Sequence, residues 1–276
     1  MRKYKFNIML VALFAFLFSS CDQEPKGAIY SGDSKKTSFL AASYSPAMTD
    51  TDGKKILVPI GRTGTEGTLS VPIKLTSTLA GYTTVFTVPN PAVFEAGKGS
   101  TDVVVNYSDL ALINPSSLAI SADATSSTGK DIIVNLAFPF KLEIADTTLM
   151  SPNNIRAVSV NASKKLNFEA AGKALLNSVD GWYGETYEVD LQKAIGANVY
   201  KLKSPFGYRD VAFMISSDGK TVLCPNQIIY KHSTYGDVTM GTVKGSISGK
   251  VVTLTVGGYT VAAGSFGGGV EIITLP

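Results

Sequence analysis

Ile56-Leu57-Val58-Pro59-Ile60-Gly61-Arg62-Thr63-Gly64, followed by Gly67-Thr68-Leu69-Ser70-Val71-Pro72-Ile73, decides the fold class. Two runs rich in β-branched residues flank a short glycine-bearing turn, the pattern of strands that return on themselves. The same texture recurs outward from this point. Thr84–Val88, Val103–Tyr107, Asp131–Ala137, Thr186–Leu191, Val211–Ile215, Val251–Val256 and Glu271–Leu275 are short apolar or alternating runs. Turn-forming pairs stand between them, among them Asp52-Gly53, Asp218-Gly219 and Ser248-Gly249. Helical periodicity is nearly absent. Phe168–Asn177 is the one tempting stretch, but it is short and holds Gly172, so it reads as loop or at most one or two turns.

The expectation is therefore an all-β protein of two domains. An Ig-like sandwich would span 38–160, and an antiparallel β-barrel or sandwich would span 168–276. Asp146–Asn154 mixes Thr, Ser, Pro and Asn without alternation, so a linker or a long corner is expected there.

The N-terminus carries a different signal. Arg2, Lys3 and Lys5 precede an unbroken apolar run from Ile8 to Phe18, which is too short to span a bilayer and fits a secretory signal over residues 1–20. Leu17-Phe18-Ser19-Ser20-Cys21 then resembles a bacterial lipobox, with small residues before a cysteine. The resemblance implies that Cys21 takes a diacylglycerol, is acylated further, and becomes the first residue of the mature protein. Two or three acyl chains make a stable anchor at about 0.8 kcal/mol per buried CH₂. Residues 21–37 would be the lipidated cysteine and a polar tether. The acidic residues just after Cys21 resemble export signals of Bacteroidetes surface lipoproteins, which implies an outer-membrane, cell-surface location.

Charge and cysteine usage narrow the function. The 276 residues include 25 Lys and Arg against 22 Asp and Glu. Loss of the three leader cations would leave the two signs equal, so nucleic acid is not an expected partner. Two cysteines, one of them Cys21, cannot form a disulfide framework. Cys224 lies at an apolar strand end and reads as a buried, inert thiol.

The first domain resembles the Calx-beta sandwiches. Arg62-Thr63-Gly64 matches their Arg-x-Gly turn, and Phe94-Glu95-Ala96-Gly97 matches a Phe-x-x-Gly turn before an alternating strand ending near Asp109. Many such domains bind calcium through clustered carboxylates, but here Asp50, Asp52, Asp102 and Asp109 are scattered, and no metal is expected. The second domain, across most of 180–276, resembles C-terminal modules of uncharacterised Bacteroidetes lipoproteins. Tyr187–Ala194, Tyr200–Phe206 and Tyr259–Pro276 carry that match.

Catalytic chemistry finds little support. His232 is the single histidine, and neither a Gly-x-Ser-x-Gly elbow nor a phosphate-binding glycine loop is present. Glu185, Glu188 and Asp190 are the densest acids, and Glu188 and Asp190 read as the solvated side of a strand. No cofactor is expected. The positive signal is aromatic. Trp182, Tyr183 and Tyr208, with Arg209, stand beside Gly181, Gly184 and Gly207, where flat rings could meet a glycan or a surface protein. Asp146-Thr147-Thr148 resembles the O-glycosylation motif of exported Bacteroidetes proteins, with Thr147 as the acceptor. The expected role is a non-catalytic surface binding or adhesion module, accessory to a glycan-uptake system. The alternative is a structural subunit of a surface or fimbria-like assembly.

Overall fold

The computed structural model describes residues 35–49, 51, 53–150 and 154–276. Cys21, the leader, residues 22–34, Asp50 and Asp52 lie outside the described residues, and the expected tether stops short of residue 37, because Thr37 is buried and opens a strand paired with Arg62. The protein is all-β, and its short helical pieces are single 3₁₀ turns.

In the first half, two sheets enclose one core. One sheet runs in the order Thr37–Phe39, Lys55–Arg62, Ser100–Tyr107, Phe86–Thr87. The other is built on Ile132–Ile144, flanked by Ala157–Lys165 and by Ser117–Ala122 and Ile73–Thr76. Ile132–Ile144 alternates almost perfectly between buried and less buried positions, as a sandwich strand must. Its Pro139 has no N–H to offer. The neighbours on that side end opposite Ala137 and resume opposite Lys141, so the proline sits in the gap between them.

The Arg-x-Gly and Phe-x-x-Gly turns meet through Arg62. Its Nε donates to the Lys98 carbonyl at 2.8 Å, and its Nη2 reaches the carbonyls of Thr65, Gly67 and Glu95 at 2.9–3.0 Å. The guanidinium also lies 5.3 Å from the centre of the Phe94 ring. One buried cation thus pins two separate loops through four carbonyls, two of which, those of Thr65 and Glu95, also accept from the Gly97 and Lys98 N–H groups. Asp109 caps a 3₁₀ turn by accepting from the Ala111 N–H.

In the second half, Phe168–Asn177 forms a strand, where loop or helical turns were expected. Its Ala- and Gly-rich composition hid this. The partners are long-range: Thr186–Ala194 on one side and Gly269–Thr274 on the other, with a bulge between Ala170 and Lys173 at Gly172 (φ 93°). The pairing continues through Val199–Leu202, Val211–Ile215, Thr221–Leu223, Gly236–Ser248 and Val251–Val261, and returns to Gly269–Thr274. Eight described strands therefore close into an antiparallel barrel. Of the two forms expected for this half, the barrel is the one adopted. The described residues of the expected linker or corner, 146–150 and 154, lie between two strands of one first-half sheet, Ile132–Ile144 and Ala157–Lys165, and the chain crosses to the second half at Leu166-Asn167.

Val211–Ile215 explains how the halves meet. Val211 and Phe213 point into the barrel core, while Ala212 and Met214 join the core of the first half. A strand with both faces buried must be apolar at every position, and Val-Ala-Phe-Met-Ile is. Backbone and amide bonds seal the contact: Asp210 N to Lys130 O at 3.0 Å, Ser217 N to Asn114 Oδ1 at 2.8 Å, and Asn198 Nδ2 to Ala111 O at 3.2 Å.

A charged cluster rims this contact. Asp210 is fully buried and accepts from Lys203 Nζ at 2.7 Å and from the Ser204 N–H at 3.0 Å, with Lys201 Nζ at 3.6 Å. Lys203 also reaches Asp131 of the first half at 2.6 Å. That bond, with one from Ser126, holds the Asp131 carboxyl down at about 2. Removing Asp210 would strand a buried lysine, whereas Asp131 is part-exposed. Asp210→Ala is expected to lower unfolding free energy by roughly 3–5 kcal/mol, and Asp131→Asn by under about 1 kcal/mol. Urea unfolding of both variants checks the contrast, and equal losses would refute it.

Candidate functional site

Three connections at one end of the barrel carry a cluster of rings. Trp182 belongs to the 178–185 connection between Phe168–Asn177 and Thr186–Ala194. Tyr230, His232 and Tyr235 belong to the hairpin of Gln227–His232 and Gly236–Ser248. Tyr259 and Phe266 flank the tight return after Val251–Val261. Trp182 stands at the centre, with ring centroids 5.2 Å from Tyr259, 5.4 Å from Phe266 and 5.6 Å from Tyr230. Phe266 continues to His232 at 5.6 Å and to Tyr235 at 5.9 Å, and His232 meets Tyr235 at 4.9 Å. These separations suit edge-to-face and tilted aromatic pairs.

The cluster grades from core to solvent. Tyr259 is buried, Trp182, Tyr230 and His232 are half-buried, and Phe266 and Tyr235 are 45% and 49% exposed. Tyr183, 48% exposed, turns to a second group of rings, Tyr187 at 5.5 Å and Phe206 at 6.5 Å. The Tyr187 hydroxyl donates to the Pro205 carbonyl at 2.6 Å, which ties the start of strand Thr186–Ala194 to the 203–210 connection.

Glu271 fixes the Trp182 loop from beneath. It alternates with Ile273 on the inward face of Gly269–Thr274 and is 1% exposed. Its Oε1 accepts from the Trp182 N–H and the Tyr259 hydroxyl, both at 2.7 Å. Its Oε2 is buried without a hydrogen-bond partner. Gly181 lies directly over the carboxylate, where a Cβ would overlap it. Burial pushes the Glu271 carboxyl above the ordinary glutamate value, and burial beside that carboxyl also pushes the Tyr259 phenol up. Within the loop, the Ser178 carbonyl accepts from the Gly181 and Gly184 N–H groups at 2.9 and 3.0 Å. The Ser178 hydroxyl accepts from the Tyr183 N–H at 2.9 Å. The loop is thus set before any ligand arrives.

The four residues singled out in the sequence fall into two places. Trp182 and Tyr183 lie in the connection at the ring cluster. Trp182 is a half-buried anchor rather than an exposed platform, because Tyr259, Tyr230 and Phe266 pack around it. Tyr208 and Arg209 lie in the 203–210 connection, with Arg209 Cζ 5.4 Å from the Tyr208 ring, and neither shares a ring contact with Trp182. Sequence reading passed over Tyr259, Phe266 and Glu271 as site residues. An acid on the inward face of a strand otherwise built from Val, Ile and Thr was the available signal.

Other candidates settle plainly. Cys224 is buried, and burial pushes its thiol up to about 12, so it is an inert core residue. His232 Nδ1 accepts from the Thr234 and Tyr235 N–H groups at 3.1 and 3.3 Å, forming the turn that presents Tyr235. Glu188 and Asp190 face solvent and pair with Lys173 at 3.7 and 3.6 Å. Thr147 is exposed at the start of a 3₁₀ turn capped by Asp146. Among the described residues, no three of His, Cys, Asp and Glu are grouped to hold a metal.

No family model matches the chain, and no curated protein is significantly similar to it. Solved structures from Bacteroides are similar to it at low identity. One is a protein of unknown function from Bacteroides ovatus, 11% identical, TM-score 0.32, with 87% of this chain and 90% of that one covered. Another is an auxiliary nutrient binding protein from Bacteroides thetaiotaomicron, 9% identical, TM-score 0.31, covering 85% and 89%. A third is a candidate carbohydrate binding protein from Bacteroides ovatus, 11% identical, TM-score 0.30, covering 87% and 97%.

The Glu271 carboxyl yields a signed pH effect. Its folded-state pKa lies above 4.5, so between that value and the raised one the folded state holds the extra proton. Stability falls as pH rises through that window. Glu271→Gln keeps an acceptor for the Trp182 N–H and cannot ionise. The variant is therefore expected to gain on the wild type in urea midpoint as pH rises from about 4 to about 7. Parallel pH curves would show that Glu271 does not carry the effect.

Proposed function

We propose that this chain is a non-catalytic, lipid-anchored surface protein that binds glycan through the ring face at the mouth of its barrel. The observation that carries this reading is the graded cluster itself: Trp182 is held by Glu271 and by buried Tyr259, and Phe266 and Tyr235 extend from it into solvent at 45% and 49% exposure. A preset apolar ring face with polar phenol edges suits the flat faces of sugar rings.

In this reading Cys21 carries the lipid, residues 22–34 form the tether, and the first half acts as a spacer that lifts the barrel mouth away from the outer membrane. Thr147, exposed on the first half, is the proposed glycan acceptor. The alternative role as an assembly subunit needs free strand edges for pairing, and ring closure removes such edges from the eight barrel strands.

A glycan array probed with the full chain in detergent tests the binding. A discrete set of oligosaccharides should bind, and Phe266→Ala or Tyr235→Ala should weaken that binding at least about tenfold while leaving the fold intact. An empty array, or variants that bind as the wild type does, would defeat the reading. The anchor is tested separately: labelled palmitate should enter the protein in cells and be lost in Cys21→Ser, and label retained in that variant would place any lipid elsewhere.

A further inference from the structure

A second concavity lies where the two halves meet, apart from the ring face. It is a cleft of about 230 Å³ between two edge strands. Ile120 and Ser121, with Ile132 beside them, form the first-half wall, and Arg209, Asn226 and Thr239 form the barrel wall. Its volume is below that of drug-sized sites, which run from roughly 300 Å³ upward. It exceeds the roughly 150 Å³ cavity that accepts benzene. A single ring with polar substituents is the matching size.

Arg209 gives the cleft its chemistry. Its Nε is buried without a hydrogen-bond partner, an uncommon state for a guanidinium. The carboxylates nearest in sequence are engaged elsewhere. Asp210 takes Lys203, Lys201 and Ser204, and Asp131 takes Lys203 and Ser126. The contact Arg209 does make is with the Tyr208 ring. Neighbouring amides are also committed: Gln227 bonds both polar atoms of Ala212, and Asn226 Oδ1 holds the Thr242 N–H. A guanidinium whose Nε has no hydrogen-bond partner, lining a small cleft of mixed polarity, asks for a planar oxyanion.

We infer that this junction cleft binds a carboxylate-bearing molecule of single-ring size, the class of the uronic acids, with its carboxylate on Arg209. The ring would lie against Ile120 and Ile132, and Ser121 and Thr239 add polar residues to the lining. The site shares no residue with the ring face, so the two readings stand or fall separately.

Calorimetric titration of the full chain with galacturonate, galactose and inorganic phosphate tests the inference. Galacturonate should bind at millimolar concentration, and galactose should not. Arg209→Met should weaken galacturonate binding at least tenfold, about 1.4 kcal/mol, because it deletes a charge-assisted contact. Since the Arg209 Nε makes no hydrogen bond, urea unfolding should show the variant folded. Ser121→Phe, which fills the cleft from the opposite wall, should abolish binding. Absence of galacturonate binding, equal binding by Arg209→Met, or phosphate binding as tight as galacturonate would each overturn the proposal, the last by reducing the cleft to a plain anion contact.

Discussion

Val211–Ile215 is the constraint on which the rest of the molecule depends. It is a wall of the barrel and also part of the core of the first half, with successive residues serving opposite faces. Sheet geometry gives such a strand no solvated side, so it tolerates no polar residue along its length. The cost appears at its ends. Asp210, just before the strand, is buried with two lysines, and Ser216, just after it, takes both the Thr221 N–H and its own bond to the Thr221 carbonyl. Polar groups thus gather at the rim because the strand itself excludes them. The 203–210 connection inherits its shape from that arrangement, and with it the positions of Phe206, Tyr208 and Arg209.

Much of this was legible from local pattern. Ile132–Ile144 announces a half-buried strand through alternation, and Val211–Ile215 announces itself through continuous apolarity. Phe168–Asn177 did not, because its residues are mostly small or polar and only Ala174 and Leu176 are deeply buried. Two long-range partners make it a strand. Periodicity reports burial of side chains; it does not report where backbone hydrogen bonds will be found. The two turn motifs of the first half were visible as motifs, but the reason for them was not: Arg62 joins both through carbonyls that lie up to 36 residues away.

The candidate site shows the same division. Trp182 and Tyr183 were readable as aromatics in a glycine-rich turn. Their neighbours were not, since Tyr230, Tyr259 and Phe266 reach Trp182 only after the barrel closes. Closure also converts Trp182 from a presumed platform into an anchor. A ring packed against three others, on a backbone whose N–H donates at 2.7 Å to a buried carboxylate, contributes rigidity, and the exposed rings beyond it contribute contact area. Preorganisation of this kind lowers the entropic cost of binding, which makes the buried members of the cluster as relevant to affinity as the exposed ones.

Two arginines separate structural from functional use of one side chain. Arg62 engages four carbonyls and a phenylalanine ring, and these contacts hold two loops together. Arg209 precedes Asp210, which lysines engage, and its own buried Nε has no partner. Packing alone gives no reason to keep a guanidinium there. An apolar side chain of the same length would avoid the desolvation cost. The asymmetry is chemical information: within one fold Arg62 is spent on architecture, and Arg209, beside an open cleft, is the guanidinium on which the proposed site draws.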